Sequence, residues 1–247
     1  MKKILFTFLL STITLTAQEK LRIEYRYSRQ DNPEKLKEFE NEMKQKFGGG
    51  FKMGEPVDQF YELEYNDNTA IYHKIETLNN AQGMNNGMNM SIHIGGQFAR
   101  LKNNLTDKNF LQEVNLDKEN YLVKNDYTNY DWKITDEETE ILGYKVIKAI
   151  SESEKTVAWF APELKVNVGP EKINGLPGTI LKTEKQETNK LLTLVTFEAE
   201  KVVINPKKLQ KEKEFKGKEI SSEEFKVLQD ESKAKLKESF SVGIDKS

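Results

Sequence analysis

The chain has no cysteine and only two histidines, His73 and His93, in 247 residues. Without cysteine there is no disulfide framework, no thiolate metal site, no thiol nucleophile and no thiol-anchored lipid. Imidazole is scarce, and Gly-x-Ser-x-Gly, His-Glu-x-x-His and a glycine-rich phosphate loop are all missing. The sequence therefore reads as a non-enzyme with no cofactor implied. His73 falls in a strand-like run beside Tyr72 and Lys74, where a ring with satisfied hydrogen bonds is the ordinary outcome. Apolar residues make up only 36% of the chain, which points to strands with one wet face and to long solvated segments.

Neither sign of charge dominates: 38 basic residues face 40 acidic ones, for a formal net charge of −2. No block of Lys and Arg is free of interleaved acids, which argues against nucleic acid as a partner. After the N-terminus no stretch approaches the ~20 apolar residues of a membrane helix, so no transmembrane segment is expected in the mature chain.

The N-terminus itself has the pattern of a leader. Lys2 and Lys3 precede an apolar run from Ile4 through Leu10 that continues weakly to Ala17, too short to span a bilayer. Residues 1–17 are expected to be a cleavable signal peptide, with the mature chain starting at Gln18 in an envelope compartment. An antiparallel β domain is expected over 18–205 and a charged, largely helical C-terminal segment over 206–247.

Leu21 through Tyr27 alternates large apolar with charged residues, the period of a half-buried strand. Asp31-Asn32-Pro33 then opens a helix, Leu36, Phe39, Met43 and Phe47 share one face of it, and Gly48-Gly49-Gly50 ends it. Asn66-Asp67-Asn68 marks a hairpin between 60–65 and 70–75. Residues 79–97 read as a long connection. Further strands are expected at 98–102, 109–115, 120–125, 130–135, 140–150, 156–161, 164–168, 179–185 and 190–204. Many strands without βα alternation mean an antiparallel meander. The fold class is mainly β: a single antiparallel curved sheet or open half-barrel, one N-terminal helix and a C-terminal helical segment. Ser221 through Glu224 resembles a helix start, with Phe225, Leu228, Leu236 and Phe240 as an intermittent stripe over 222–240.

The most informative stretch holds Trp159 and Pro162, then Gly169-Pro170, then Gly175-Leu176-Pro177-Gly178-Thr179-Ile180. Proline followed by glycine suits a type II turn over Leu176–Thr179. Such a turn folds 156–168 and 179–185 toward one another, with Trp159 the largest apolar surface to cover the reversal. The motif is expected to be a structural turn more than a partner-binding loop.

On these residues, together with Trp132, Ile141 through Lys145, Lys148-Ala149 and Ala158, the chain resembles the GLPGLI family, exported proteins of certain Gram-negative bacteria. The resemblance covers roughly residues 120–200 and departs at two places. Thr179 stands where the family name has leucine, and Val146 stands where cysteine is expected in many members. The resemblance implies a periplasmic or outer-membrane-associated protein, and it brings neither catalytic residues nor a substrate. At fold level the chain is also similar to the open half-barrels of periplasmic lipoprotein carriers, whose curved sheets enclose an apolar concavity.

One further constellation is Met84, Met88, Met90 and His93, three thioethers and an imidazole in a glycine-containing stretch, a ligand set suited to Cu(I). The ordinary reading is a loop whose methionines cover an apolar surface. Three functions follow. The first is a non-catalytic binding or carrier protein for an unknown hydrophobic or peptide ligand, the second an accessory protein docking on an outer-membrane protein through a sheet edge or turn loops, and the third a copper-binding loop protein.

Overall fold

The computed structural model describes residues 20–47, 52–75, 97–209 and 214–242. The expected leader and the candidate copper ligands Met84, Met88, Met90 and His93 lie outside the described residues. The elements are β1 (Lys20–Gln30), α1 (Pro33–Phe47), β2 (Gln59–Asn66), β3 (Thr69–Lys74), β4 (Gln97–Asn104), β5 (Asn109–Leu116) and β6 (Glu119–Asp126). They continue with β7 (Lys133–Ile141), β8 (Tyr144–Ser151), β9 (Thr156–Ala161), β10 (Thr179–Gln186), β11 (Leu194–Ile204), β12 (Lys218–Ser221) and α2 (Ser222–Val242).

All twelve strands form one open sheet in the order β12-β6-β5-β4-β3-β2-β1-β11-β10-β9-β8-β7. Neighbours run antiparallel except β12 and β6. The alternation in β1 is the alternation of faces: Leu21, Ile23 and Tyr25 are buried, while Arg22, Glu24 and Arg26 point the other way. That outer face carries ion pairs between strands. Arg22 meets Glu64 at 2.5 Å, Arg26 meets Glu200 at 2.7 Å and Arg100 meets Glu113 at 2.7 Å. The exposed Arg26 pair is worth about 0–1 kcal/mol, whereas Arg22–Glu64 and Arg100–Glu113 are largely covered, so removing one partner there would strand a poorly solvated charge. The low apolar content has this origin.

The inner face is covered by the chain itself. Leu164, Val166 and Val168, from the connection between β9 and β10, are buried in one cluster with Leu21, Ile23, Leu63, Tyr72, Leu101 and Phe110. The same connection reaches β5, six strands from β10, through the side chain of Lys172. The sheet is curved, and the connection lies in its concavity, packed in one cluster with side chains from β1 to β5.

Several sequence expectations need correction. Residues 164–168 form no strand, and 140–150 is split by a hairpin at Leu142-Gly143, both with positive φ. The acidic run of β7 and the apolar run of β8 meet across that turn. After Pro206 the chain rejoins the sheet: Phe215 lies under Arg100 on the outer face, 4.3 Å from the guanidinium carbon. Gly217 then turns the chain where a Cβ would stand 2.8 Å from the Asn120 carbonyl oxygen, and β12 pairs with β6.

Both helices begin as expected. The Asn32 side chain accepts from the Glu34 and Lys35 amides at 3.1 Å, capping α1. Leu36, Phe39 and Met43 are only half-buried, so this helix is docked more loosely than its stripe suggests. For α2, Ser221 Oγ accepts from the Glu224 amide at 3.1 Å and Glu224 accepts from the Ser221 amide at 2.8 Å, a reciprocal cap. Phe225 then packs with Val114, Val123 and Ile220 on the inner face. Among the described residues no helix is long and apolar enough to cross a membrane.

Candidate functional site

The site is built by the connection that the sequence motif occupies. It is closed by backbone bonds to its own stem, Thr179 N to Leu164 O at 3.2 Å and Ile180 N to Val168 O at 2.8 Å. The Thr179 hydroxyl adds a buried bond to the Val166 carbonyl at 2.7 Å. Thr179, which stands where the resembled motif has leucine, therefore ties the loop from inside.

The reversal at the hexapeptide is tighter than the type II turn expected. The Gly178 amide donates to the Leu176 carbonyl at 2.9 Å, a three-residue turn centred on Pro177. Glycine is needed at 178 because the backbone passes so close to Ala161 that a Cβ would lie 2.4 Å from its carbonyl oxygen, at a φ of +155°. Trp159 packs at the margin of the main core, with the Lys148 ammonium 5.8 Å from its ring. The indole set against the loop is that of Trp132, which donates to the Asn174 carbonyl at 2.8 Å and lies 3.4 Å from where a Gly175 Cβ would be. Trp132 in turn stacks on Tyr130 at 4.7 Å.

Between the Gly169-Pro170 break and the hexapeptide, the Ile173 amide donates to the Pro170 carbonyl at 3.1 Å. Glu171 stands at the corner of this turn with φ +51°. The turn holds Glu171 and Lys172 in the concavity, facing different partners. On one side lies an aromatic cluster from four strands. Tyr61 stacks on Tyr72 at 5.1 Å, Tyr27 meets Phe197 at 5.1 Å, and Tyr27 and Tyr61 are left half-open. Burial raises the phenol pKa of Tyr61 to about 12, and the charge of Glu171 pushes Tyr27, Tyr61, Tyr72 and Tyr130 in the same direction. Burial also raises the carboxyl pKa of Glu171, opposed by Lys172 and Lys185. Glu171 is crowded by protein yet open to solvent, so water tempers that shift.

On the other side Lys172 reaches β5, where its Nζ donates to Gln112 Oε1 at 3.1 Å. Burial lowers its pKa against the pull of Glu171. Here the sheet and α2 enclose a cleft of about 430 Å3 floored by Val114, Val123 and Phe225.

Of the residues singled out from sequence, Gly169, Pro170, Gly175, Leu176, Pro177, Gly178 and Ile180 come together as the frame of this loop, with Pro162 at its start. His73 is on the outer face, its Nε2 3.8 Å from Glu62. Val146, where a cysteine was expected, is fully buried in the main core. Glu171 and Lys172 were not foreseen, and the only local signal was their position between two glycine-proline breaks.

A family model described as a protein of unknown function, Porph_ging, matches residues 150–182, the segment that holds β9, the loop and the start of β10. No curated protein matches the chain. Among solved structures, PNGF-II in two crystal forms superposes with a TM-score of 0.52 at 17% identity, over 86% and 87% of this chain. The chain spans about a third of the length of that structure, 33% and 34%, and the likeness is one of fold. A LolA superfamily protein from Nitrosomonas europaea matches with a TM-score of 0.30 at 8% identity, covering 77% of this chain and 88% of that one. A domain from Vibrio parahaemolyticus described as outer membrane lipoprotein-sorting matches with a TM-score of 0.31 at 10% identity, covering 87% and 93%. Both are too distant to bear on function.

Proposed function

We propose that the chain is an exported, non-catalytic binding protein that holds a small apolar or amphiphilic ligand on the inner face of its sheet, beside the motif loop. The observation that carries this reading is the division of the concavity. Leu164, Val166 and Val168 fill its middle. Two flanks stay accessible, the half-open tyrosines Tyr27 and Tyr61 and the cleft under α2. Concave surface with an apolar floor and a few convergent polar groups is what small-ligand sites are made of. The ligand occupies a flank, not the whole concavity. The leader-like pattern of residues 1–17 supports an envelope address, the periplasm or the outer membrane.

Docking on an outer-membrane partner by strand addition has less support. The edge strand β7 presents exposed Asp136, Glu137, Glu138 and Glu140 and a register shift between Ile134 and Glu138. Charge and irregularity of this kind protect an edge from further pairing. The opposite edge, β12, has four residues.

Native mass spectrometry of the protein purified without detergent from its own envelope tests the reading. A non-covalent small-molecule adduct released on denaturation is expected. A bare chain recovered in stoichiometric complex with an envelope protein would favour docking instead.

A further inference from the structure

The C-terminal elements wrap the β6 edge of the sheet and are held on both of its faces. On the outer face Arg100 donates to the Glu113 carboxylate at 2.7 Å and to the Glu214 carbonyl at 2.9 Å, and Glu113 also accepts from the Lys216 amide at 3.1 Å. Phe215 lies against the Arg100 guanidinium between these two attachments. The chain then rounds the edge at Gly217, β12 pairs with β6, and α2 lies on the inner face with Phe225 packed on Val114 and Val123. A single run of chain therefore joins an outer-face attachment to an inner-face cover.

The cover is thinly attached to the sheet. β12 pairs through four residues in parallel, whereas β5 and β6 pair through eight in antiparallel. Among the described side chains of β12 and α2, only Ile220 and Phe225 are buried. Farther along the helix the Ser232 hydroxyl donates to Asp117 at 2.9 Å in an exposed position, and the cleft of about 430 Å3 lies between α2 and Lys172 of the motif loop. A short ladder and few buried apolar contacts mark a segment that opens at lower free energy than the whole fold. The outer-face attachment is firmer, because Arg100 and Glu113 are largely covered and their bonds to residues 214–216 are charge-assisted. Burial alone would raise the Glu113 carboxyl, but Arg100 and the Lys216 amide hold it below its ordinary pKa.

We propose that β12 and α2 form a cover that opens as one unit while the rest of the sheet stays folded, latched from the outer face by Arg100 and Glu113 through Phe215 and Lys216. Opening uncovers Val114 and Val123, apolar surface that the closed cover buries. The cover thus governs access to the inner face at β5 and β6. Its use rests on the inner-face binding reading above, but its opening is a property of the chain without ligand.

The chain has no cysteine, so a single introduced thiol reports opening without background. Val123→Cys places one beneath α2, and Val146→Cys places one in the main core, where the side chain is fully buried. Labelling by a small thiol reagent is measured in native buffer, each rate taken relative to that of the same variant in urea. Val123→Cys is expected to react at least ~100-fold faster than Val146→Cys. Adding Phe215→Ala, which leaves the pairs within the sheet in place, should speed labelling at 123 by ~3-fold or more and leave 146 as it was. Equal relative rates at the two sites would show that α2 leaves only when the whole sheet unfolds, and overturn the cover. An effect of Phe215→Ala that is absent, or the same at both sites, overturns the latch. Neither result touches ligand binding, which the adduct measurement above decides separately.

Discussion

Tyr25 on β1 donates its hydroxyl to the backbone carbonyl of Ile180, the last residue of the hexapeptide, at 2.7 Å inside the core. Burial pushes this phenol well above its ordinary pKa, so it serves as a neutral donor at every accessible pH. The bond fixes the end of the motif loop to the first strand. Tyr25→Phe keeps the ring and orphans a buried carbonyl, and should cost about 1–2 kcal/mol in denaturant unfolding. No loss would mean that the carbonyl finds another donor.

At the hexapeptide, Gly178→Val drives a Cβ to 2.4 Å from the Ala161 carbonyl oxygen. The expected loss is at least about 1–3 kcal/mol, from strain alone. Gly54 has nothing within 4 Å of its would-be Cβ, so Gly54→Val should do much less. Comparable losses at the two sites would contradict the close approach.

Glu171 gives a pH dependence with a definite sign. Its carboxyl pKa is raised in the folded protein by the crowding of protein around it, a shift tempered by its exposure to water, so the folded state holds the proton somewhat more tightly than the unfolded chain does. That contribution to stability is complete below the ordinary carboxylate range and is lost as pH rises through the folded pKa. Glu171→Gln should match the unmodified protein at low pH and exceed it at neutral pH in urea unfolding. A variant less stable at neutral pH would show that the charge is needed by the fold.

The reciprocal cap at Ser221 and Glu224 joins β12 to α2. Ser221→Ala should cost about 1 kcal/mol and speed amide exchange at 222–228, leaving β9 and β10 as they were. Global acceleration would mean that the C-terminal segment is integral to the whole sheet.

Export predicts a mature chain beginning at Gln18 in the envelope fraction. N-terminal sequencing reads this directly, and a full-length chain in the cytosol would contradict it.

The sheet was legible wherever alternation and turn chemistry coincided. The hairpin at Asn66-Asp67-Asn68 is one such place, with Asp67 and Asn68 both at positive φ. So is the start of α2, where the capping residues are adjacent in sequence. The Leu142-Gly143 hairpin was missed because a lone glycine between apolar residues resembles a continuous strand. Strand β12 was missed because Lys218–Ser221 has almost no apolar signal, and its pairing depends on Gly217 meeting Asn120, far away in the chain. The frame of the site was legible through its prolines and glycines, but Glu171 and Lys172 were not. A charged pair between two breaks reads as a solvated turn. The fold of the sheet, and nothing in the local sequence, sets β5 against Lys172.

The most direct test compares hydrogen exchange in the protein as isolated from its envelope with the same protein after solvent extraction of bound material. A ligand on the inner face predicts slower exchange before extraction at 169–174 and 222–230, with β7 unchanged. Identical exchange in those two segments, or protection confined to the β7 edge, would contradict it.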